Sequence, residues 1–225
     1  MKVKLISWTK DPLMTCAKAA SMCYKSEPTL TLIKGCIKSH HESVLEHASF
    51  TFMITGISRS CSHQIVRHRL ASYSQESQRY VNVTNPEWVL PVARDTREAG
   101  VMTEACEHSL ETYAELENNG CSKDEARCVL PNATPTSLVM TMNIRSLANF
   151  FNERLCSRAS KEIREVALAM KKAIQSCPDI SAMEWDVLDK LFVPKCERFE
   201  IPFCPEYKGC GRHKPLRELV GESDE

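Results

Sequence analysis

Glycine is scarce, at seven residues in 225, and no G-x-G-x-x-G or G-x-x-x-x-G-K-[ST] occurs. A Rossmann dinucleotide site and a P-loop are thereby excluded. Any phosphate or cofactor must be held by side chains and helix N-termini rather than by a glycine-rich turn. Net charge is also missing: 29 Lys plus Arg balance 29 Asp plus Glu, which argues against a surface built wholly for nucleic acid or anionic membrane. No apolar run approaches the ~20 residues of a membrane helix. Met1–Lys4 lead straight into structure with no secretion signal, so the expectation is a soluble, cytoplasmic protein without a membrane or nucleic-acid partner. Twelve cysteines are present, yet no pair has C-x-x-C spacing. Without a secretion signal, most should be small buried hydrophobes kept as thiols.

At 43% hydrophobic and 26% charged residues, the chain has ordinary globular proportions. The pattern predicts one α+β domain with more helix than strand, around a central mixed β-sheet. Lys2–Trp8 reads as a strand. Asp11-Pro12 starts a helix to about Tyr24, and Thr29–Ser39 is a second. His41–His47 is a polar turn or short helix, and Ala48–Thr55 is a strand with Phe50 and Phe52 on one face. Ser58 caps a helix to about Leu70, anchored by Ile65 and Val66, and Ala71–Tyr80 is a loop. Thr96–Asn119 is a long helix stopped by Gly120. Ser122 and Glu125 form a capping box for a helix that Pro131 ends. Ser137–Asn143 is a strand, and Ser146–Ser176 one long or broken helix. Residues 1–192 are expected to be the catalytic domain, and 193–225 a Cys/Pro-rich extension.

Polar chemistry concentrates in three places. Between Arg59 and Arg79 stand four arginines, two histidines, one acid and no lysine. Gln64 and Arg67 share a helix face, and Gln75, Ser77, Gln78 and Arg79 crowd the loop after it. Planar guanidinium groups beside amides and hydroxyls suit a phosphate plus a base with carbonyl and N–H edges. The competing reading is a basic face paired with acids elsewhere. On the late helix, Arg145 and Asn149 stand at i,i+4, as do Arg154 and Arg158. Glu162 is the expected partner of Arg158, and Arg154 has no acid at i+3 or i+4. His41, Glu42, Glu46 and His47 lack the H-E-x-x-H spacing of a zinc site. In the tail, Cys196, Cys204, Cys210 and His213 could supply four zinc ligands, but their spacings are not those of a standard finger. No metal is assigned to either group. These features reach a phosphorylated, base-containing small molecule and stop there.

Arg67-His68-Arg69, seven residues, then Ser77 is R-H-R-x7-S, and here the chain resembles the flavin-dependent thymidylate synthases. The segments His41–His47, Gln64-x-x-Arg67, Ala126–Pro131, Asn143–Asn149 and Arg154 followed by Glu162-Ile163 resemble that family in the same order, over about residues 1–175. The resemblance implies a homotetramer with FAD-containing sites built from more than one subunit. It implies reductive methylation of dUMP to dTMP, with 5,10-methylenetetrahydrofolate supplying carbon and NADPH supplying hydride through FAD. It places Gln64, Arg67, Gln75, Ser77, Gln78, Arg79, Arg127 and Arg154 on dUMP. It places His41, Ser43, Arg67, His68, Arg69, Gln75, Asn143, Arg145, Asn149 and Arg158 on FAD, with Arg154 as the catalytic residue. Two positions depart from the family's pattern: Ser74-Gln75 replaces a common Asn-Glu, and Arg158 replaces a common histidine. Rival readings are a nucleotide- or RNA-binding module without turnover, and a zinc-stabilised interaction protein that uses the tail cysteines.

Overall fold

Strand β1 (Lys2–Trp8) is followed by helices α1 (Pro12–Tyr24) and α2 (Leu30–Lys38), then by a 3-10 turn over Glu42–His47. Next come β2 (Ser49–Ser58), α3 (Arg59–Ile65), β3 (Ser72–Gln75), α4 (Arg97–Asn118) and α5 (Lys123–Ala126). A 3-10 turn over Arg127–Val129 leads to β4 (Pro135–Asn143), α6 (Ile144–Arg154), α7 (Lys161–Gln175), α8 (Ala182–Leu191) and α9 (Leu216–Leu219). This computed structural model describes residues 1–220.

The strands form one sheet in the order β1-β2-β4-β3. It is antiparallel, where a mixed sheet was expected. Thr9 N–H donates to the Ser49 carbonyl while Met1 lies against Gly56, so β1 and β2 run in opposite directions. Ile144 donates to Ala48, and Arg59 to Thr134, which reverses β4 on β2 in the same way.

Alternation sets which face is buried. Thr136, Leu138, Met140 and Met142 are the buried members of β4, and Phe50, Phe52 and Ile54 those of β2. In β2 the pattern slips at Gly56, whose φ of +67° is open to glycine at little cost, and Ile57 becomes the next buried residue. Such a slip moves every later side chain to the other face.

Contacts group the chain into two units. The first comprises Met1–Lys2, Met53–Arg69 and Tyr73–Met140; the second comprises Val3–Phe52, Leu70–Ser72 and the chain from Thr141 onward. In the second unit Phe150, Phe151 and Phe192 are fully buried, with ring centroids 5.6 Å apart for Phe150–Phe151 and 4.7 Å for Phe151–Phe192. The buried Asn152 amide donates to the carbonyls of Leu191 at 3.1 Å and Val193 at 2.8 Å, which fixes the end of α8 on α6. Seven of the twelve cysteines are buried and all are free thiols, as expected. Burial pushes the Cys16 thiol up to about 12, so it behaves as an inert core residue.

Two expectations about elements need correction. Helix α3 stops at Ile65 rather than near Leu70, and Val66 is 36% exposed, so Ile65 with Cys61, rather than Ile65 with Val66, anchors it. Gln64 and Arg67 therefore do not share a helix face. Residues Ser72–Gln75, expected as loop, form β3. Of the long or broken helix expected over Ser146–Ser176, the broken form is found, as α6 and α7, so Arg154 ends one helix while Arg158 lies between them.

Candidate functional site

The first unit gathers most of the residues expected on the nucleotide. Ser58 accepts a hydrogen bond from the Cys61 N–H at 2.9 Å and caps α3, which ends just before Arg67-His68-Arg69. The Tyr73 hydroxyl lies 2.9 Å from the Ile65 carbonyl and 2.8 Å from that of His68, tying this turn to β3. Gln75, at the end of β3, donates from Nε2 to Ser62 Oγ at 2.9 Å and Thr136 Oγ1 at 3.2 Å. An amide held by two donations has its carbonyl oxygen in a fixed direction. The Glu76 N–H donates to the Ser137 carbonyl, so Gln75 and Ser77 flank a backbone position anchored to β4. Ser77 Oγ accepts from the Arg79 N–H at 3.3 Å.

Asp124 organises the arginines. Its Oδ1 lies 3.1 Å from Arg79 Nε and 2.8 Å from Arg127 Nη2, both of which remain at least a third exposed. Arg59 donates to the Glu76 carbonyl at 3.2 Å, and its pKa is lowered, first by burial and then by the charge of Arg127. Arg79 and Arg127 thus share one carboxylate, and Arg59 lies near enough to Arg127 to feel its charge. Such a cluster keeps a net positive potential and offers planar donor forks to a phosphate. Arg59 and Asp124 were not among the expected site residues. Arg59 lay within the basic segment, but only the fold shows that it feels Arg127.

The second unit holds His41, Ser43, Asn143, Arg145, Asn149, Arg154 and Arg158. Asn143 Oδ1 accepts from the Ser146 N–H at 2.8 Å, so it caps α6 in addition to any contact of its amide nitrogen. Arg145 and Asn149 are exposed on the first turns of that helix. Arg145 pairs with Glu46 at 2.5 Å, and His41 Nδ1 lies 2.7 Å from the Tyr24 hydroxyl. Arg154 is half-buried at the last turn of α6, where the partial negative end of the helix favours a cation. Arg158 donates to the Lys208 carbonyl at 2.5 Å and lies 3.5 Å from Glu206. Glu162 was the expected partner of Arg158; the tail supplies these contacts.

The same unit contains a cavity of about 670 Å³. Lys34, Lys38, Arg145, Lys190, Lys195 and Arg198 line it, against Glu42 and Asp186. Glu42 is ion-paired to Arg198. The excess of cations suits an anionic ligand. Arg145 is the one expected site residue on its wall. Arg154 and the remaining nucleotide-contact residues fall in different units, and each group is built as described above.

A family model described as "Thymidylate synthase complementing protein" matches residues 4–178. The flavin-dependent thymidylate synthase of Pyrococcus furiosus is 38% identical over 225 aligned residues, covering 92% of this chain and 90% of that protein. The chain belongs to the flavin-dependent thymidylate synthase family. The Geobacter sulfurreducens member of that family is 40% identical over 191 residues, covering 78% of this chain and 82% of its own. The Clostridium tetani member is 38% identical and covers 97% of this chain, so its alignment reaches into the tail beyond residue 193. Among solved structures, the flavin-dependent thymidylate synthase of Helicobacter pylori complexed with FAD and dUMP matches with a TM-score of 0.63 and 28% identity. It covers 77% of this chain and 93% of that one. No helix among the described residues is long and apolar enough to cross a membrane.

Proposed function

We propose that the protein converts dUMP to dTMP by reductive methylation, with 5,10-methylenetetrahydrofolate as carbon donor, and NADPH as hydride source by way of FAD. The observation that carries this reading is the 38% identity to flavin-dependent thymidylate synthases over nine-tenths of both chains. The Helicobacter pylori relative solved with FAD and dUMP supports the choice of ligands. The transferred carbon arrives as a methylene and needs one hydride to become a methyl group. The C5 proton of the uracil leaves, and tetrahydrofolate departs.

Residue roles follow the donor chemistry. Arg79 and Arg127, with Arg59 beside them, bind the dUMP phosphate in place of part of their contact to Asp124. Gln64, Arg67, Gln75, Ser77 and Gln78 complete the nucleotide contacts, the oriented Gln75 carbonyl among them accepting from a base N–H. Arg154 stands beside the uracil and stabilises its N3-deprotonated form. That form is electron-rich enough at C5 to accept carbon without a covalent enzyme adduct.

For FAD, the exposed or half-buried donors His41, Ser43, Arg67, His68, Arg69, Gln75, Asn143, Arg145, Asn149 and Arg158 fit an anionic dinucleotide, since six of them are arginine or histidine and five of those six are exposed. FAD supplies hydride transfer when bound. The chain works as a cytoplasmic homotetramer whose subunits share these sites. Gln75 in place of a carboxylate and Arg158 in place of a histidine both add positive character around the flavin, and adjust binding strength rather than remove a required group.

Ser77 binds and polarises in this scheme. Its Oγ is engaged with the Arg79 N–H, and a nucleophilic serine needs a positioned base. Ser77→Ala is expected to keep measurable dTMP formation with a raised KM for dUMP. Complete loss of turnover with dUMP binding intact would assign it a chemical role instead. The reading itself is checked by the visible spectrum of the purified protein after FAD addition. A bound flavin band that shifts on adding dUMP is expected, whereas nucleotide binding with no flavin uptake would favour a binding module.

A further inference from the structure

The C-terminal segment folds back on itself. The Cys204 N–H donates to the Lys214 carbonyl at 2.8 Å, and Cys204 makes a β-bridge with Pro215. This returns His213 to the 3-10 turn over Lys195–Glu197. There Cys196 Sγ, a Glu197 carboxylate oxygen and a His213 ring nitrogen all lie within 4.8 Å of one another. Cys196 is buried, and the Glu197 and His213 side chains are each 26% exposed. His213 Nε2 is buried and makes no hydrogen bond among the described residues; it stands 3.6 Å from Glu197 Oε1. A buried ring nitrogen without a hydrogen bond calls for an explanation.

We propose that Cys196 Sγ, Glu197 and His213 Nε2 bind a zinc-class divalent cation that closes the C-terminal tail. Sulfur, nitrogen and oxygen donors are the set a borderline-soft ion takes, and three protein ligands leave a fourth position for water or a further donor. Tetrahedral bonds of about 2.0–2.3 Å put donor atoms about 3.3–3.8 Å apart, so the present spacing closes with about 1 Å of movement. Arg212 lies 2.6 Å from Glu197 Oε1 and orients the carboxylate, as outer partners of metal ligands do. Burial, then Glu197, raises the Cys196 thiol pKa, so the cation displaces a proton that leaves to solvent.

Such a site would join the two ends of an irregular, charged tail. Between the two ends of the closure, Glu206 lies 2.5 Å from Lys195 and 3.5 Å from Arg158, and the Lys208 carbonyl accepts from Arg158. A cation at Cys196–His213 fixes the loop that holds Arg158. The inference stands on the tail's own geometry and does not depend on the proposed reaction.

The test uses the full chain, treated with a chelator, dialysed and titrated with Co²⁺. One Co²⁺ per chain is expected, with a thiolate-to-cobalt charge-transfer band that Zn²⁺ displaces. Cys196→Ser should abolish the band. His213→Gln, a change at a half-exposed position, should weaken Co²⁺ binding by more than the ~10–100-fold that loss of an outer partner brings. Cys23→Ser, which removes an exposed thiol on α1, should change neither. The absence of a charge-transfer band, or a band of unchanged affinity in His213→Gln, would overturn the proposal. A band that survives in Cys196→Ser would do so too, by assigning the ligands to other cysteines.

Discussion

Arg154→Ala is expected to lower kcat for dTMP formation by about 10³-fold while the protein still binds FAD. Removing one preorganised group from a site of developing negative charge typically costs 10²–10³ in rate. Arg154 sits at the upper end because, in the proposed reaction, it faces a full anion on the uracil rather than a partial one. The helix that carries it is fixed: Leu147, Phe150 and Phe151 of α6 are fully buried, so truncating the half-buried Arg154 at its last turn is expected to leave the scaffold in place. Arg154→Lys keeps the charge but loses the planar fork, and should recover part of the rate. Flavin absorbance, measured on the same samples, separates lost chemistry from lost cofactor. Normal turnover by the alanine variant would remove Arg154 from the reaction.

Arg127→Ala is expected to raise the KM for dUMP about 10–100-fold, with kcat changed far less. A hydrogen bond between charged groups is worth about 1.5–3 kcal/mol, which is this range of affinity. The ion pair it makes with Asp124 is partly exposed and contributes little to stability, so the variant should melt near the parent. Its loss also relieves Arg59, whose pKa Arg127 depresses, and leaves Asp124 to Arg79 alone. An unchanged KM would mean that the phosphate binds elsewhere and that this cluster serves the fold.

Most of the elements were legible because they are local. Ser58 caps its helix as expected, Thr29 and Thr96 turn out to cap the helices expected to begin there, and the Ser122–Glu125 box is formed. The same spelling at Ser181–Glu184 opens α8, so that helix was equally readable. Strand β3 was not, because Ser-Tyr-Ser-Gln has little intrinsic preference and becomes a strand only by pairing with β4. Whether and where the helix over Ser146–Ser176 breaks was left open by the periodicity, because the apolar stripe continues through Leu155 past the end of α6.

Within the candidate site, residue types and the basic segment could be read, but pairings across the chain could not. Glu46 meets Arg145 from 99 residues away, and Glu42 meets Arg198 from 156. Asp124 joining Arg79 to Arg127 is likewise a product of the fold. The tail shows the opposite case. Cys196 and His213 were visible as possible ligands, but Glu197, which the structure sets between them in place of Cys204 and Cys210, was not.

The measurement that bears most directly on the proposed reaction is turnover of the purified protein with dUMP, 5,10-methylenetetrahydrofolate, NADPH and FAD, with dTMP quantified by chromatography. Each component is omitted in turn. The expected result is dTMP in the complete mixture, and none when FAD, NADPH or the folate is left out. dTMP formed at an undiminished rate without FAD and NADPH, or no dTMP from protein shown to bind both FAD and dUMP, would contradict it.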